Sequence, residues 1–176
     1  MGDLYLVKPT KELEEKAMDY RREHIEHGEG HINGSGGFSH YDSYDEWLTM
    51  VQSVEKDALI KEKVHASTYF SIRKQDQRII GTIQLRHSLS GMLRKYGGHI
   101  GYGIRPSERR KGYGSEQLVL VLEEAKKLGL DKVMITCDKN NLGSSSVIKN
   151  NGGVLEWEGY YEPTKEIVQI YWITVS

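Results

Sequence analysis

The chain has 176 residues, a formal net charge of −1 at pH 7 and one cysteine. This length is enough for one domain with a sizeable core, and we expect residues 1–176 to form a single domain. The charge excludes a global basic signature for nucleic acid, and the lone cysteine excludes an intramolecular disulfide. No apolar run approaches the ~20 residues that cross a bilayer, and the first residues lack the order of a signal peptide. We therefore expect a cytoplasmic protein with no nucleic-acid or membrane partner.

The first half of the chain predicts a strand, two helices and a hairpin. After the opening strand, an amphipathic helix is predicted over 10–26, and residues 27–41, with five glycines and no periodicity, predict a loop. Ser43 and Glu46 form a capping box before the second helix. Residues 67–87 alternate on both sides of a polar turn, which indicates a hairpin. The buried stripe of the first helix is predicted to contain Leu13, Ala17, Met18 and Ile25.

The second half predicts strands alternating with helices. One of these strands, over 132–138, is nearly all apolar and is expected to be covered on both faces. In chain order we predict a loop over 88–98, a strand over 98–106, a helix over 115–130, the apolar strand over 132–138, a short helix over 140–153, and a final hairpin whose strands cover 154–162 and 166–175.

A basic, glycine-containing stretch, RPSERRKGYGSEQL, joins a strand end to a helix start. At such a junction unpaired backbone N–H groups and the positive end of the helix dipole favour an anion. The Walker A pattern G-x-x-x-x-G-K-[ST] is absent, and the dinucleotide fingerprint G-x-G-x-x-G is broken at its last position. The pattern [Q/R]-x-x-G-x-[G/A] is met by Arg109, Gly112 and Gly114.

With this motif, the element order and a second pattern downstream, the chain resembles the GNAT superfamily of N-acetyltransferases over essentially its whole length. The second pattern is N-x-x-[SA]-x-x-[LV]-x-x-x-x-G, met by Asn141, Ser144, Val147 and Gly152. The resemblance implies an α/β fold, with a central, mostly antiparallel, splayed sheet flanked by helices. It also implies transfer of an acetyl group from acetyl-CoA to a primary amine of a small molecule or peptide. Homodimers are common in this superfamily and are a candidate assembly here.

The resemblance assigns the diphosphate of acetyl-CoA to the backbone amides of residues 109–115, where glycines let the chain approach closely. The strand over 101–104 would pair with the pantetheine arm and supply the oxyanion donor, near Gly103 or Ile104. Glycines at 101 and 103 suit a bulge and close approach by a ligand, or a strand bend with no ligand. The candidate cofactor-binding residues are Gly103, Ile104, Arg109, Arg110, Lys111, Gly112, Tyr113, Gly114, Ser115, Asn141 and Ser144.

The catalytic residues depart from the common pattern of the superfamily. Many members carry a glutamate base on the donor strand, but GGHIGYG has no carboxylate, which makes His99 the candidate base or a structural histidine. Many members also carry a tyrosine acid where this chain has Ile148. Ser144, or Ser145 beside it, is the candidate hydrogen-bond donor to the leaving sulfur, as proposed for the branch that acetylates ribosomal-protein N-termini, and Ser144 could equally be a helix-start residue. Tyr160 and Tyr161 offer a second candidate acid, or are packing residues.

The acceptor side is the least determined part of the sequence. The resemblance places it between the 28–41 loop and the last hairpin, and their acidic and aromatic side chains suit a cationic amine. A mobile connection with incidental side chains is the alternative. The candidate acceptor residues are His31, Phe38, His40 and Tyr41 in the loop, and Glu158, Tyr160, Tyr161 and Glu162 in the hairpin.

Two further interpretations stand beside this one. A member that binds acyl-CoA without turnover would explain the missing glutamate and tyrosine, and a nucleotide-phosphate protein of another class could use the same loop. His24, His27 and His31 have a spacing that metal sites show, but no fourth ligand is near, and we expect no metal. Cys137 is expected to be a core residue.

Overall fold

The computed structural model describes residues 2–56 and 64–175, and within them it forms two antiparallel sheets with helices packed on both faces. The first sheet has the order β1-β2-β3-β4 and the second the order β5-β7-β6. The strands are β1 (Leu4–Val7), β2 (Ala66–Arg73), β3 (Ile79–Arg86), β4 (Ile100–Ile104), β5 (Lys132–Asp138), β6 (Val154–Tyr161) and β7 (Glu166–Thr174). The helices are α1 (Glu14–Glu26), α2 (Tyr44–Lys56), α3 (Gly91–Lys95), α4 (Tyr113–Lys127) and α5 (Leu142–Asn150).

The predicted α/β architecture and the order of its elements are confirmed, with one addition. The predicted loop over 88–98 contains the short helix α3, because the Ser90 side chain caps it by accepting a hydrogen bond from the N–H of Leu93. Because the segment is polar and contains glycine, its sequence predicts a loop and does not reveal the capped helix. Across the described ranges 2–56 and 64–175, no helix is long and apolar enough to cross a bilayer.

Two hydrophobic clusters fix the layers on the two faces of the first sheet. Helix α4 packs Leu118, Val121 and Ala125 against apolar side chains of β3, β4 and β5. Helices α1 and α2 cover the other face, together with residues from the loop between them. Since burying a large apolar side chain stabilises a fold by about 1.5–3 kcal/mol, these clusters hold the ends of β4 and α4 in fixed positions.

The two sheets meet at one point and are separate beyond it. His99, the residue before β4, donates its N–H to the carbonyl of Met134 in β5 at 2.8 Å. In the described part of the chain this is the one backbone hydrogen bond that joins these two edges. The facing edges of β4 and β5 beyond it form the β4–β5 gap, as expected for a splayed sheet.

Candidate active site

The turn before α4 presents six consecutive backbone amides, from Arg110 to Ser115, at the mouth of the helix. Within residues 2–56 and 64–175 none of these amides donates a hydrogen bond to a protein acceptor. Arg110 and Gly112 both have positive φ, 61° and 87°, and this conformation turns successive amides toward one side. Together with the N-terminal end of α4, this turn provides a site for an anion.

The three cations of the motif have different surroundings. The Arg109 guanidinium donates to the Glu29 carboxylate at 2.8 Å. Lys111 pairs with buried Glu108 at 2.9 Å. Arg110 is exposed and has no carboxylate partner in the described part of the chain. Arg109 and Lys111 are therefore paired with carboxylates, and Arg110 is the motif cation without such a partner among the described residues.

The register of β4 decides which of its amides face the gap. At one end of the β3–β4 ladder the N–H of Arg86 donates to the carbonyl of His99 at 2.7 Å. At the other end the N–H of Arg105 donates to the carbonyl of Ile80 at 2.7 Å. Because antiparallel pairs alternate, Gly103 pairs with β3 and its amide is directed away from the gap. The backbone groups that face the gap belong to Ile100, Tyr102 and Ile104.

The glycines of β4 accommodate a protein segment. A Cβ on Gly103 would lie 2.8 Å from the carbonyl oxygen of Asn33, and Gly34 lies against the backbone of Gly101 and Tyr102. The β3–β4 register runs without a shift, so the predicted bulge is wrong. The close approach expected of a ligand on this face is made by the loop before α2.

That loop is a packed element. Ile32, Ser35 and Phe38 are fully buried. The carbonyl of Ser35 accepts a hydrogen bond from the Trp47 indole at 2.6 Å, which ties the loop to α2. These contacts favour an ordered segment over a mobile connection, and Phe38 is a core residue.

A hydroxyl pair lies at the β4–β5 gap. The Tyr102 hydroxyl is 2.8 Å from Ser144 Oγ, which links β4 to the first turn of α5. The side chain of Asn141 caps α5 by accepting a hydrogen bond from the N–H of Ser144 at 3.0 Å. Burial raises the pKa of Tyr102 to about 12, so its hydroxyl stays protonated and can donate. Sequence reasoning missed Tyr102, although it stands between two glycines of the donor strand.

The neighbouring thiol is not activated. Cys137, on β5, is buried, and burial followed by the nearby Asp138 charge raises the pKa of its thiol to about 11. Such a thiol stays protonated at neutral pH and is a poor nucleophile. Its placement fits the predicted core role.

Tyr160 and Tyr161 lie apart from the hydroxyl pair. Both belong to β6, the strand of the second sheet farthest from β5. Tyr160 is 55% exposed, and no hydrogen bond of its side chain is recorded among the described residues. Tyr161 stacks on Tyr96, just before β4, with ring centroids 4.7 Å apart.

His99 has structural contacts on both its backbone and its ring. Besides the backbone bond to Met134, its Nδ1 accepts the N–H of Met134 at 2.9 Å. Burial, followed by the charges of Arg86 and Arg94, lowers the pKa of His99 to about 4. The ring is therefore neutral at pH 7 and weakly basic. Nε2 is the ring nitrogen that does not contact Met134.

Asp138 is a second candidate base, and it lies on β5 rather than on β4. It is the last residue of β5, and strand alternation places it on the opposite face from Cys137. Its Oδ1 is buried without a hydrogen-bond partner in the described ranges. A buried carboxylate oxygen without a partner is rare in folded proteins and indicates a missing donor such as water or a ligand.

The remaining histidines of the first helix and loop do not assemble a metal site. His24 is buried and lies 3.2 Å from Glu29, and His31 lies 3.4 Å from His40. Among residues 2–56 and 64–175, no group of three or more candidate ligands is close enough to hold a metal ion.

Comparison with known proteins identifies the family. Residues 36–154, more than half of the chain, match the family model described as acetyltransferase (GNAT) domain. A comparison with curated proteins found no match.

Three solved structures resemble the chain at low sequence identity. The structure of yncA from Salmonella typhimurium, solved with its cofactor acetyl-CoA, is 12% identical, with a TM-score of 0.65 over 99% of this chain and 95% of that one. Ribosomal-protein-S5-alanine acetyltransferase from Vibrio fischeri is 15% identical, with a TM-score of 0.69 over 100% and 95%. Dodecameric spermidine N-acetyltransferase from Vibrio cholerae is 16% identical, with a TM-score of 0.66 over 99% and 95%.

These likenesses show a shared fold, and the family model covers both the basic turn and the β4–β5 gap. The six amides before α4 have no acceptor in the described part of the chain, and they fit a diphosphate. The open edge of β4 that follows them fits the amide-bearing arm attached to that diphosphate. The chain therefore belongs to the GNAT acetyltransferases, and acetyl-CoA is its cosubstrate.

Proposed function

We propose that the chain acetylates a primary amine by direct attack of the amine on the thioester of acetyl-CoA. The observation that supports this most is the continuity of the site. The six amides of the turn before α4 lie next to the open edge of β4, and this edge leads to the Tyr102–Ser144 pair. A module that only held acyl-CoA would need the turn and the edge, but not a protonated hydroxyl pair at the gap.

The holding residues follow from the geometry of the turn and of β4. The amides of residues 110–115 would bind the diphosphate, with Arg110 adding charge. The backbone groups of Tyr102 and the amide of Ile104 would pair with the pantetheine arm, whereas the Ile104 carbonyl already accepts a hydrogen bond from Nε of Arg109 at 3.0 Å. Among the predicted binding residues, Arg109, Lys111 and Asn141 would act by holding the turn and α5 in place.

The acetyl donor supplies a thioester, and the remaining tasks belong to the chain. Removing the proton from an ammonium group with a pKa of ~10.4 costs about 4.6 kcal/mol at pH 7. We assign the removal of its proton to Asp138, directly or through water, because Oδ1 of Asp138 is buried without a hydrogen-bond partner among the described residues, whereas Nδ1 of His99 already accepts the N–H of Met134. An amide of β4 that faces the gap would stabilise the charge on the carbonyl oxygen, and the hydroxyl pair would hydrogen-bond the leaving sulfur.

The names of similar proteins agree with an amine acceptor. One is a spermidine acetyltransferase and another acetylates a ribosomal protein. The spermidine enzyme is dodecameric, and a homo-oligomer of this chain, such as a dimer, is part of the proposal.

The direct test is an assay of thiol release from acetyl-CoA with a panel of amines, together with calorimetric titration of the same protein with CoA. We expect CoA binding and amine-dependent thiol release. Binding without turnover for any amine would favour the acyl-CoA-binding module. Binding of ATP or NAD in preference to CoA would favour a nucleotide-phosphate protein.

A further inference from the structure

A cavity of about 660 Å³ lies between α2, α3 and the first sheet, on the face opposite α4. This volume is in the range of small-molecule sites. Most of its wall is apolar, and Arg86 is the one charged side chain among the described residues that line it. The apolar lining residues include Met50, Val54, Val64, Ala66, Met92 and Leu93.

The cavity borders β4. Gln84, in its wall, pairs with Gly101 of β4 in the sheet register. A Cβ placed on Gly101 would lie 4.0 Å from Nη2 of Arg86. Gly36, also in the wall, belongs to the loop that packs on β4. A molecule in this cavity would therefore approach β4 from the side opposite α4.

The Arg86 guanidinium has unused donors. Nη1 donates to the carbonyls of Gly97 and Gly98 at 3.1 and 3.0 Å, which uses both of its hydrogens. The three donors on Nε and Nη2 have no acceptor among residues 2–56 and 64–175, and no carboxylate there pairs with the side chain. Nε and Nη2 form the edge of the guanidinium that fits a carboxylate through two parallel hydrogen bonds.

The positive charge of Arg86 is retained in this setting. Burial lowers the pKa of Arg86, yet a guanidinium stays charged at neutral pH. An apolar wall with one unpaired cation favours an apolar molecule that carries one anionic group. It disfavours polyamines, whose several cations would be repelled.

We propose that this cavity binds the acceptor, and that the acceptor is an aliphatic amino acid or a similar apolar amine whose carboxylate pairs with Nε and Nη2 of Arg86. This inference rests on the acetyl transfer proposed above and names its substrate class. It replaces the expectation of a cationic amine held by the acidic groups of the last hairpin. There, Glu158 is already paired with Lys139 at 2.8 Å.

The test compares L-leucine with L-leucinamide, which lacks the carboxylate, and with spermidine, in the thiol-release assay. We expect kcat/KM for leucine to exceed that of both other amines by at least 10-fold. Arg86→Gln should lower kcat/KM for leucine by about 10- to 100-fold, the range of a charge-assisted pair. The variant should leave kcat/KM for leucinamide and KM for acetyl-CoA within about threefold, and Arg86→Lys should fall between.

Three outcomes separate the possibilities. If leucinamide or spermidine is the better acceptor, or if Arg86→Gln lowers both rates equally, the carboxylate site is wrong while acetyl transfer stands. If no amine releases thiol, the proposed function fails. Calorimetric titration of the CoA-bound protein with leucine then still tests whether the cavity binds leucine. Binding that Arg86→Gln abolishes supports the carboxylate site, and absence of binding contradicts it.

Discussion

At the scale of single residues, burial moves the pKa values of the groups around the β4–β5 gap further from neutral pH. It raises the pKa of the Tyr102 hydroxyl and of the Cys137 thiol, which stay protonated, and it lowers the pKa of the His99 ring, which is neutral. Asp138 is the carboxylate at this position whose oxygen has no partner in the described ranges. In the proposed mechanism, proton removal falls to β5 and stabilisation of the leaving sulfur to β4.

The base assignment is tested by a matched pair of variants, His99→Asn and Asp138→Asn. The asparagine at 99 keeps an acceptor for the N–H of Met134 but removes the imidazole. We expect His99→Asn to retain its rate within about threefold across pH 6 to 9, and Asp138→Asn to lose about 100-fold in kcat, a typical contribution of a general base. The measurement is kcat against pH for both variants. A large loss in His99→Asn alone would restore the histidine as the base.

Tyr102 acts with Ser144 on the leaving sulfur in this account, as a positioning residue or a donor. We expect Tyr102→Phe to lower kcat by about 10-fold with little change in KM for acetyl-CoA, because the lost hydrogen bond is needed after binding. Ser144→Ala should behave similarly, and the double variant should lose less than the product of the two effects.

Tyr160→Phe in the same assay tests the acid that the sequence predicts. A loss of kcat in Tyr160→Phe without a loss in Tyr102→Phe would contradict the assignment to the hydroxyl pair.

At the scale of elements, a charged network sets the position of the basic turn relative to α1. Arg105, 1% exposed, donates from Nη1 to Glu23 at 2.8 Å and to Asp19 at 3.0 Å. Glu23 also accepts the N–H of Ser107 at 2.7 Å. Burial alone would raise the pKa of Glu23, but the hydrogen bonds from Ser107 and Arg105 outweigh it and lower this pKa to about 2. The carboxylate form therefore stabilises the connection between β4 and α4.

This network predicts a pH dependence of stability. Because the folded-state pKa of Glu23 is lowered, its contribution is present above the ordinary value of 4.5 and is lost as the pH falls from about 4.5 to 2. We expect Glu23→Gln to lower the free energy of unfolding at pH 7 by on the order of 1 kcal/mol, and the difference to vanish near pH 2. Urea unfolding at several pH values measures this. Glu26→Gln, at an exposed position of the same helix, is the control, and an equal effect in both variants would contradict the network.

The sequence predicts the elements whose pattern is local. The strand over 132–138 and the hairpin turn around Pro163 follow from apolar runs and turn residues, and both are confirmed. The buried stripe of α1 is partly wrong: Ile25 is 51% exposed, and Tyr20 and His24 are buried instead. The buried Tyr20 hydroxyl lies 3.1 Å from Thr82 Oγ1 of β3, a contact between distant segments that the local helical period does not predict.

The same distinction holds for the candidate site. The turn over 109–115 is recognisable because its motif is contiguous. Arg86, Tyr102 and Asp138 are not recognisable in this way, since their roles depend on strand register, on a cavity wall and on an unpartnered oxygen. Each of these features joins segments far apart in sequence.

At the scale of the whole molecule, one backbone hydrogen bond, at His99, joins the facing edges of the two sheets in the described part of the chain, and the edges are not paired beyond it. The gap therefore has two sides. The basic turn and the Tyr102–Ser144 pair lie toward α4 and α5, and the Arg86 cavity lies on the opposite face. Donor and acceptor can enter from different faces and meet at β4.

The central claim is that the amides of residues 110–115 bind the diphosphate of acetyl-CoA beside an open edge of β4. A crystal structure of the protein with CoA tests it most directly. We expect several of these amide nitrogens within about 3.2 Å of diphosphate oxygens, with the pantetheine arm along Tyr102 and Ile104. A diphosphate bound elsewhere, with these amides in contact with protein acceptors and β4 paired along its length to β5, would contradict it.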